Sequence, residues 1–188
     1  MRNQEVSRTA EFMAVFRASE HAKAPASRAF ADPLAAALLP GELRLAAKLF
    51  KLGPTAALLN NYIDRRWPGA RTSGIARTKL IDDWIAEAAD GIDQVVLLGA
   101  GFDTRAWRLD ALAGARIFEV DHPNTARVKQ ARLRSAEADL RKVTFVKVDF
   151  EVDDYDELLR AAGFDASRPA IVVWEGVSSI SQARRYAA

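Results

Sequence analysis

The chain has 188 residues, 49% hydrophobic and 28% charged, which fits one soluble globular domain able to bury a substantial core. Its 27 basic residues nearly balance 25 acidic ones, and a net charge of +2 gives no reason to expect nucleic-acid binding even though the pI is near 9.0. The absence of cysteine excludes disulfides, thiolate zinc sites and a cysteine nucleophile, and His21 and His122 offer no metal-ligand spacing.

The first turns carry Arg2, Glu5, Arg8 and Glu11, so they hold no signal-peptide core, and no apolar run approaches the length of a membrane span. A cytoplasmic location is the default expectation. The first ninety residues read as helices. Asp32-Pro33 predicts an N-cap with proline at N1, opening a helix through Leu34, Ala35, Leu38 and Leu39 that Pro40-Gly41 ends. Further helices are expected over about 43–52, 55–66 and 77–89, with Ile81, Trp84, Ile85 and Ala88 on one face of the last and Gly91 closing it. The cluster Arg71 to Lys79 reads as a solvated helix start.

The pattern then changes. Gln94 to Leu98 is a short apolar run bounded by Gly99, the signature of a buried parallel strand. Strands are also expected at 115–120, 143–148 and 170–174. Between them, Pro123 opens a helix carrying Val128, Ala131 and Leu133, and Asp153 or Asp154 caps another through Leu158, Leu159 and Ala162. Strands alternating with helices predict parallel crossovers and a doubly wound, Rossmann-like α/β sheet. The expected organisation is a helical region at 1–90, a Rossmann-like part at 91–178 and an atypical tail at 179–188, together one domain.

Ligands of such sheets bind beyond the carboxyl ends of the strands. Those ends read Gly99-Ala100-Gly101, Glu119-Val120-Asp121, Asp149-Phe150 and Glu175-Gly176. Gly99 and Gly101 allow a close approach of backbone to ligand and a sharp turn. Asp121, twenty residues after Gly101, stands where an acid accepts from ribose hydroxyls. Asp149 is placed to accept from an adenine amino group, with the Phe150 N–H facing a ring nitrogen. Glu175 stands where an amine-bearing end would lie. Taken singly, each has a plain structural alternative: a tight turn for the glycines, a helix cap for Asp121, a solvated loop for Asp149.

Two adenine-bearing ligands compete. A nicotinamide site asks for G-x-G-x-x-G over a pyrophosphate, but the loop reads G-A-G-F-D-T, with Thr104 in place of the third glycine and the negative Asp103 beside it. S-adenosyl-L-methionine carries no phosphate and has a positive sulfonium, so acids around the loop suit it.

The run VVLLGAGFDTRAWRL (95–109) resembles the first motif of the leucine carboxyl methyltransferase family, which includes many bacterial S-adenosyl-L-methionine-dependent enzymes. FEVDHP (118–123) with Lys129 behind it, VKVDF (146–150) and VVWEGVS (172–178) match further motifs in order, and TAEFMAVFRASE, FADPLA and RTKLIDDWI resemble the N-terminal helices. The resemblance implies the first four strands of a class I methyltransferase sheet preceded by helices, with S-adenosyl-L-methionine as cofactor. It further implies that Arg77 meets the methionine carboxylate, Gly99 contacts the cofactor, Asp121 binds ribose, Asp149 and Phe150 serve the adenine, and Glu175 is the acid of the fourth strand end. Asp103 and Arg105 brace the loop. The implied reaction is O-methylation of a carboxylate or hydroxyl of a small molecule, with no residue standing out as a general base.

The resemblance also implies a longer sheet than the tail SISQARRYAA (179–188) supplies, so a truncated product is expected, with an unpaired fourth strand prone to self-association and weak or absent methyl transfer. A non-catalytic cofactor-binding remnant and an NAD(P)-dependent oxidoreductase are the alternatives. Neither nucleic acid nor membrane is expected as a partner.

Overall fold

The computed structural model describes residues 8–175; the tail and the last three residues of the fourth motif lie outside the described residues. Four helices come first: α1 (Arg8–His21), α2 (Gly41–Lys48), α3 (Gly53–Arg66) and α4 (Ala70–Ala88). They lead into β1 (Gln94–Leu98), the short α5 (Arg105–Arg108), β2 (Arg116–Asp121), α6 (Pro123–Ser135), β3 (Val143–Lys147), α7 (Tyr155–Ala161) and β4 (Ala170–Trp174). Among the described residues no helix is long and apolar enough to cross a membrane.

The strands form one parallel sheet in the order β3-β2-β1-β4. The chain starts in the middle, moves outward through β2 and β3, then returns to the other side of β1. That reversal creates the switch point at which α/β sheets bind ligands. Register aligns Leu98 with Val120 on one side and Trp174 on the other. The next residues along, Asp121 and Glu175, therefore flank Gly99.

β1 is apolar from Val95 to Leu98 because both its faces are covered, and the buried Gln94 at its start donates to Asp165 O and accepts from Asp165 N–H. On one face Val95, Leu97, Ile117, Val143 and Val173 pack with Ile85 of α4. On the other, Val96, Phe118, Val120 and Val146 pack with Leu159 of α7. A third cluster joins Phe16, Leu38, Leu39, Phe50 and Ile63 of the helical region to Phe102 of the β1 loop and Leu133 of α6. The helical region is thus docked onto the loop that follows β1. Among the described residues β4 pairs with β1 alone, and its Val172 and Trp174 are more than half exposed.

Four expectations are corrected. Residues 33–38 are turns rather than a helix. The segment is fenced by Pro33 and Pro40, and Ala35, Ala37 and Leu39 N–H close three-residue turns onto Asp32, Leu34 and Ala36 O, with only Leu38 N–H reaching back four residues, to Leu34 O; Arg44 donates to Ala37 O and Leu39 O, and Arg132 to Leu38 O. The helix expected from 77 begins at Ala70, after Gly69 turns the chain at φ 77°. Trp84, expected on the core face, is exposed because Ile81 and Ile85 fill the space against the sheet. In α6 Ala131, expected alongside Val128 and Leu133, is exposed together with Arg127, Arg134 and Ser135, whereas Lys129 is buried at 1% exposure.

Candidate functional site

The β1 tip turns through Gly99 at φ 63° and Gly101 at φ 50°, both in the left-handed region that favours glycine. A Cβ on Gly101 would stand 3.1 Å from the Ala10 Cβ, so α1 lies directly against the loop. Gly99 N–H and Ala100 N–H both donate to Val120 O, which fastens the loop to β2. The Asp121 carboxylate completes the tie: it accepts from Gly101 N–H and, at 2.6 Å, from His122 N–H. Asp121 does not cap α6; His122 does, its Nδ1 accepting from Asn124 N–H at 3.2 Å.

Beyond Gly101 the loop is held by buried charge. Thr104, where a dinucleotide site would have its third glycine, is fully buried and donates to Asp32 Oδ2 at 2.6 Å. The same Asp32 accepts from Arg17 Nε at 2.8 Å and from Ala35 N–H at 3.0 Å. Arg17 reaches on to Phe102 O at 2.5 Å. Asp82 of α4 accepts from Arg105 Nε at 2.8 Å and from Arg108 Nη1 and Nη2 at 2.5 and 3.0 Å. Arg105 also pairs with Asp103 within the loop, whose carboxylate takes the Arg105 N–H at 2.7 Å. Burial works against ionisation of Asp103, but Arg105, Lys129, Arg108 and Arg17 together hold its carboxyl below the usual range. Burial likewise disfavours the Arg105 cation, and Asp103, Asp82 and Glu175 more than compensate.

The switch point carries a different kind of pair. Glu175, one residue past β4, accepts from Arg77 Nε of α4 at 2.7 Å and lies 3.4–3.5 Å from Arg105 Nη1 and Nη2. The Arg77 side chain is 49% exposed and that of Glu175 22%, so this pair faces solvent at the mouth of the site. The basic stretch 71–79 is otherwise spoken for: Arg71 pairs with Asp64, and Lys79 with Asp83.

Gly99, Gly101, Asp121, Glu175 and Arg77 are thus brought to adjoining tips around the crevice. Asp149 and Phe150 stand apart, two residues beyond β3 on the outer side of β2. Asp149 serves its own turn, accepting from Glu151 N–H at 3.1 Å and donating its N–H to Asp153. Phe150 packs on Tyr155 with ring centroids 6.3 Å apart, and its N–H has no partner among the described residues. Beneath Asp121, Glu119 of β2 and Lys129 of α6 form a buried pair at 2.7 Å. Burial pushes the Glu119 carboxyl up to about 7 despite the attraction of Lys129, and raises that of Asp121 against its backbone donors. Among the described residues no group of three or more histidine, aspartate or glutamate side chains is placed to hold a metal ion.

Sequence reasoning missed Arg17, Asp82 and Arg108, and read Asp32 only as a helix cap. Arg17, Asp82 and Arg108 sit in helices whose local pattern reads as an ordinary polar face, and the partners that tie them and Asp32 to the loop lie 15 to 85 residues away.

Comparison with known proteins places these features in a family. A protein of Mycobacterium sp. (strain MCS) is 40% identical over 114 residues, covering 57% of this chain and 47% of the relative. Proteins of Frankia alni and Streptomyces coelicolor are each 42% identical over 116 residues, covering 60% of this chain and 40% of theirs. All three bear the name "Putative S-adenosyl-L-methionine-dependent methyltransferase". The chain spans less than half the length of these curated relatives. The family model described as leucine carboxyl methyltransferase matches residues 10–179, which takes in the helices, all four strands and every tip described above. The chain belongs to the leucine carboxyl methyltransferase family.

Proposed function

We propose that the chain binds S-adenosyl-L-methionine at the strand tips and serves methyl transfer to an oxygen, a carboxylate or hydroxyl of a small-molecule acceptor. The observation that carries this reading is the Arg77–Glu175 pair at the switch point. A solvent-facing cation and anion side by side are the complement of an α-amino acid, which presents one carboxylate and one ammonium. The pair opens to take the zwitterion, Arg77 donating to the carboxylate in a charge-assisted contact and Glu175 accepting from the ammonium.

The other residues fit the nucleoside half. Asp121, at the lip of the glycine turn, accepts ribose hydroxyls with lone pairs left over from its two backbone donors. The open Phe150 N–H meets an adenine ring nitrogen, and Asp149 the amino group. The cofactor supplies an electrophilic methyl on a sulfonium, so the chain's task is to align donor and acceptor rather than to generate a nucleophile. A pyrophosphate fits poorly: Asp103 is held ionised beside the loop, and the third-glycine position is filled by a Thr104 anchored to Asp32.

Titration calorimetry of the chain with S-adenosylhomocysteine and, separately, with NAD tests this. Saturable heat with the first and none with the second is expected. Binding of NAD alone, or of neither, refutes the reading.

A further inference from the structure

We infer that Met13 is a positioning residue for the amino-acid end of the crevice: its thioether holds the Arg77 guanidinium in place when Glu175 gives way to the ligand. The inference rests on the cofactor reading above and adds to it a residue of α1 that acts through Arg77.

The arrangement follows from a missing side chain. Gly74 and Arg77 are three residues apart on α4, so they lie one above the other on one face. Long helical side chains lean back over the preceding turn, which brings Arg77 over Gly74. At that turn α4 carries no Cβ, and α1 fills the notch. A Cβ on Gly74 would stand 3.1 Å from Met13 Cε, 3.2 Å from Met13 Sδ and 3.2 Å from Phe16 Cδ2. Met13 and Phe16 are themselves one turn apart on α1. Phe16 belongs to the cluster that docks the helical region onto the β1 loop, and Met13 packs against it. Seated there, Met13 Sδ accepts from Arg77 Nη2 at 3.7 Å.

Among the described residues Arg77 has two hydrogen-bond partners, Glu175 at Nε and Met13 at Nη2. The zwitterion takes the place of the first. Without the second, a half-exposed arginine swings freely through its rotamers, and ordering it again weakens binding. A thioether suits the task because it is neutral and only a weak acceptor. A carboxylate in its place would neutralise the guanidinium and compete with the ligand for it. Sulfur instead orients one N–H and leaves the charge and the other N–H donors to the incoming carboxylate.

The alternative is that Met13 only wedges α1 against α4. Calorimetric affinities for S-adenosylhomocysteine and for methylthioadenosine, which has the nucleoside without the amino-acid end, separate the two on wild type, M13L, R77M and M13L/R77M. Leucine keeps the apolar bulk and removes the acceptor. M13L is expected to weaken S-adenosylhomocysteine about fivefold, the worth of one ordinary hydrogen bond, and to leave methylthioadenosine within about twofold of wild type. In the R77M background M13L changes nothing further, because the group it acts through is gone. A wedge predicts instead that M13L weakens both ligands alike, or that its effect persists in R77M. Either result, or an unchanged S-adenosylhomocysteine affinity in M13L, overturns the inference. G74A reaches the same contact from α4: its methyl displaces the Met13 thioether and reproduces the M13L pattern, and it carries the comparison if M13L does not fold. A wild-type chain that gives no heat with S-adenosylhomocysteine sinks the cofactor reading itself, whereas equal losses for both ligands in M13L sink the inference alone.

Discussion

Asp82 provides the sharpest test of what holds the loop in place. Its carboxylate is 6% exposed and accepts three bonds from Arg105 and Arg108, whose side chains are 3% and 4% exposed. Asp82→Asn keeps the shape and removes the charge. Arg105 retains Asp103 and the more distant Glu175, but Arg108 is left with Asp32 at only 3.9 Å and the Thr104 hydroxyl at 3.3 Å. Breaking a buried pair so that a cation stays behind costs about 3–5 kcal/mol, and the surviving partners of Arg105 place this case near the lower end. Against a total stability of about 5–15 kcal/mol that is a large fraction. With a urea slope of about 2 kcal/mol per molar, the unfolding midpoint falls by about 1.5 M. A loss below about 1 kcal/mol, the worth of an exposed pair, would refute the claim that this network carries the loop.

The other expectations are smaller or of another kind. Arg77→Met costs at most about 1 kcal/mol of stability, because its pair with Glu175 is half exposed, but weakens S-adenosylhomocysteine binding at least tenfold by calorimetry. Gly101→Ala forces an L-residue to φ 50° and brings its Cβ within 3.1 Å of Ala10, so a stability loss of about 1–2 kcal/mol is expected in thermal or urea unfolding. Glu119 gives a pH dependence of definite sign. Its folded pKa of about 7 lies above the ordinary 4.5, so between those values the native state holds a proton that the unfolded state has released. Stability contributed by this group is therefore present below 4.5 and is lost as pH rises to about 7, a slope that Glu119→Gln removes from the urea midpoints.

How much of this was legible depended on whether the cause was local. β1 at Gln94–Leu98 and β4 at Ala170–Trp174 match the sequence reading to the residue, because a strand buried on both faces must be a short apolar run between breakers. The glycine turn and the acids at the strand ends were equally visible, since parallel strands ending in register bring their next residues to one edge. Asp32-Pro33 shows the limit. Its side chain does cap Ala35 N–H, as the local pattern says, yet the same carboxylate is drawn to Arg17 and Thr104, and the residues after it close mainly three-residue turns instead of a helix. Lys129 shows it again: a lysine in a helix reads as surface, and only the fold reveals Glu119 across from it.

The arginine–carboxylate pairs divide by what they leave free. Arg17, Arg105 and Arg108 face Asp32, Asp82 and Asp103, three cations against three anions, with Arg105 tightly bound to Asp82 and only loosely approaching Glu175 at 3.4–3.5 Å. The buried network is thus neutral without Glu175, whose one short contact is the exposed Arg77. A zwitterion inserted into that pair leaves the local charge unchanged and strands neither partner, so the exchange avoids burying an unpaired ion. A ligand with the nucleoside but no amino-acid end has nothing to offer either residue and leaves the pair closed. Methylthioadenosine is such a ligand: Arg77→Met should leave its affinity within about twofold of wild type while S-adenosylhomocysteine loses at least tenfold. Equal losses for both ligands would mean that Arg77 shapes the whole crevice rather than reading the amino-acid end.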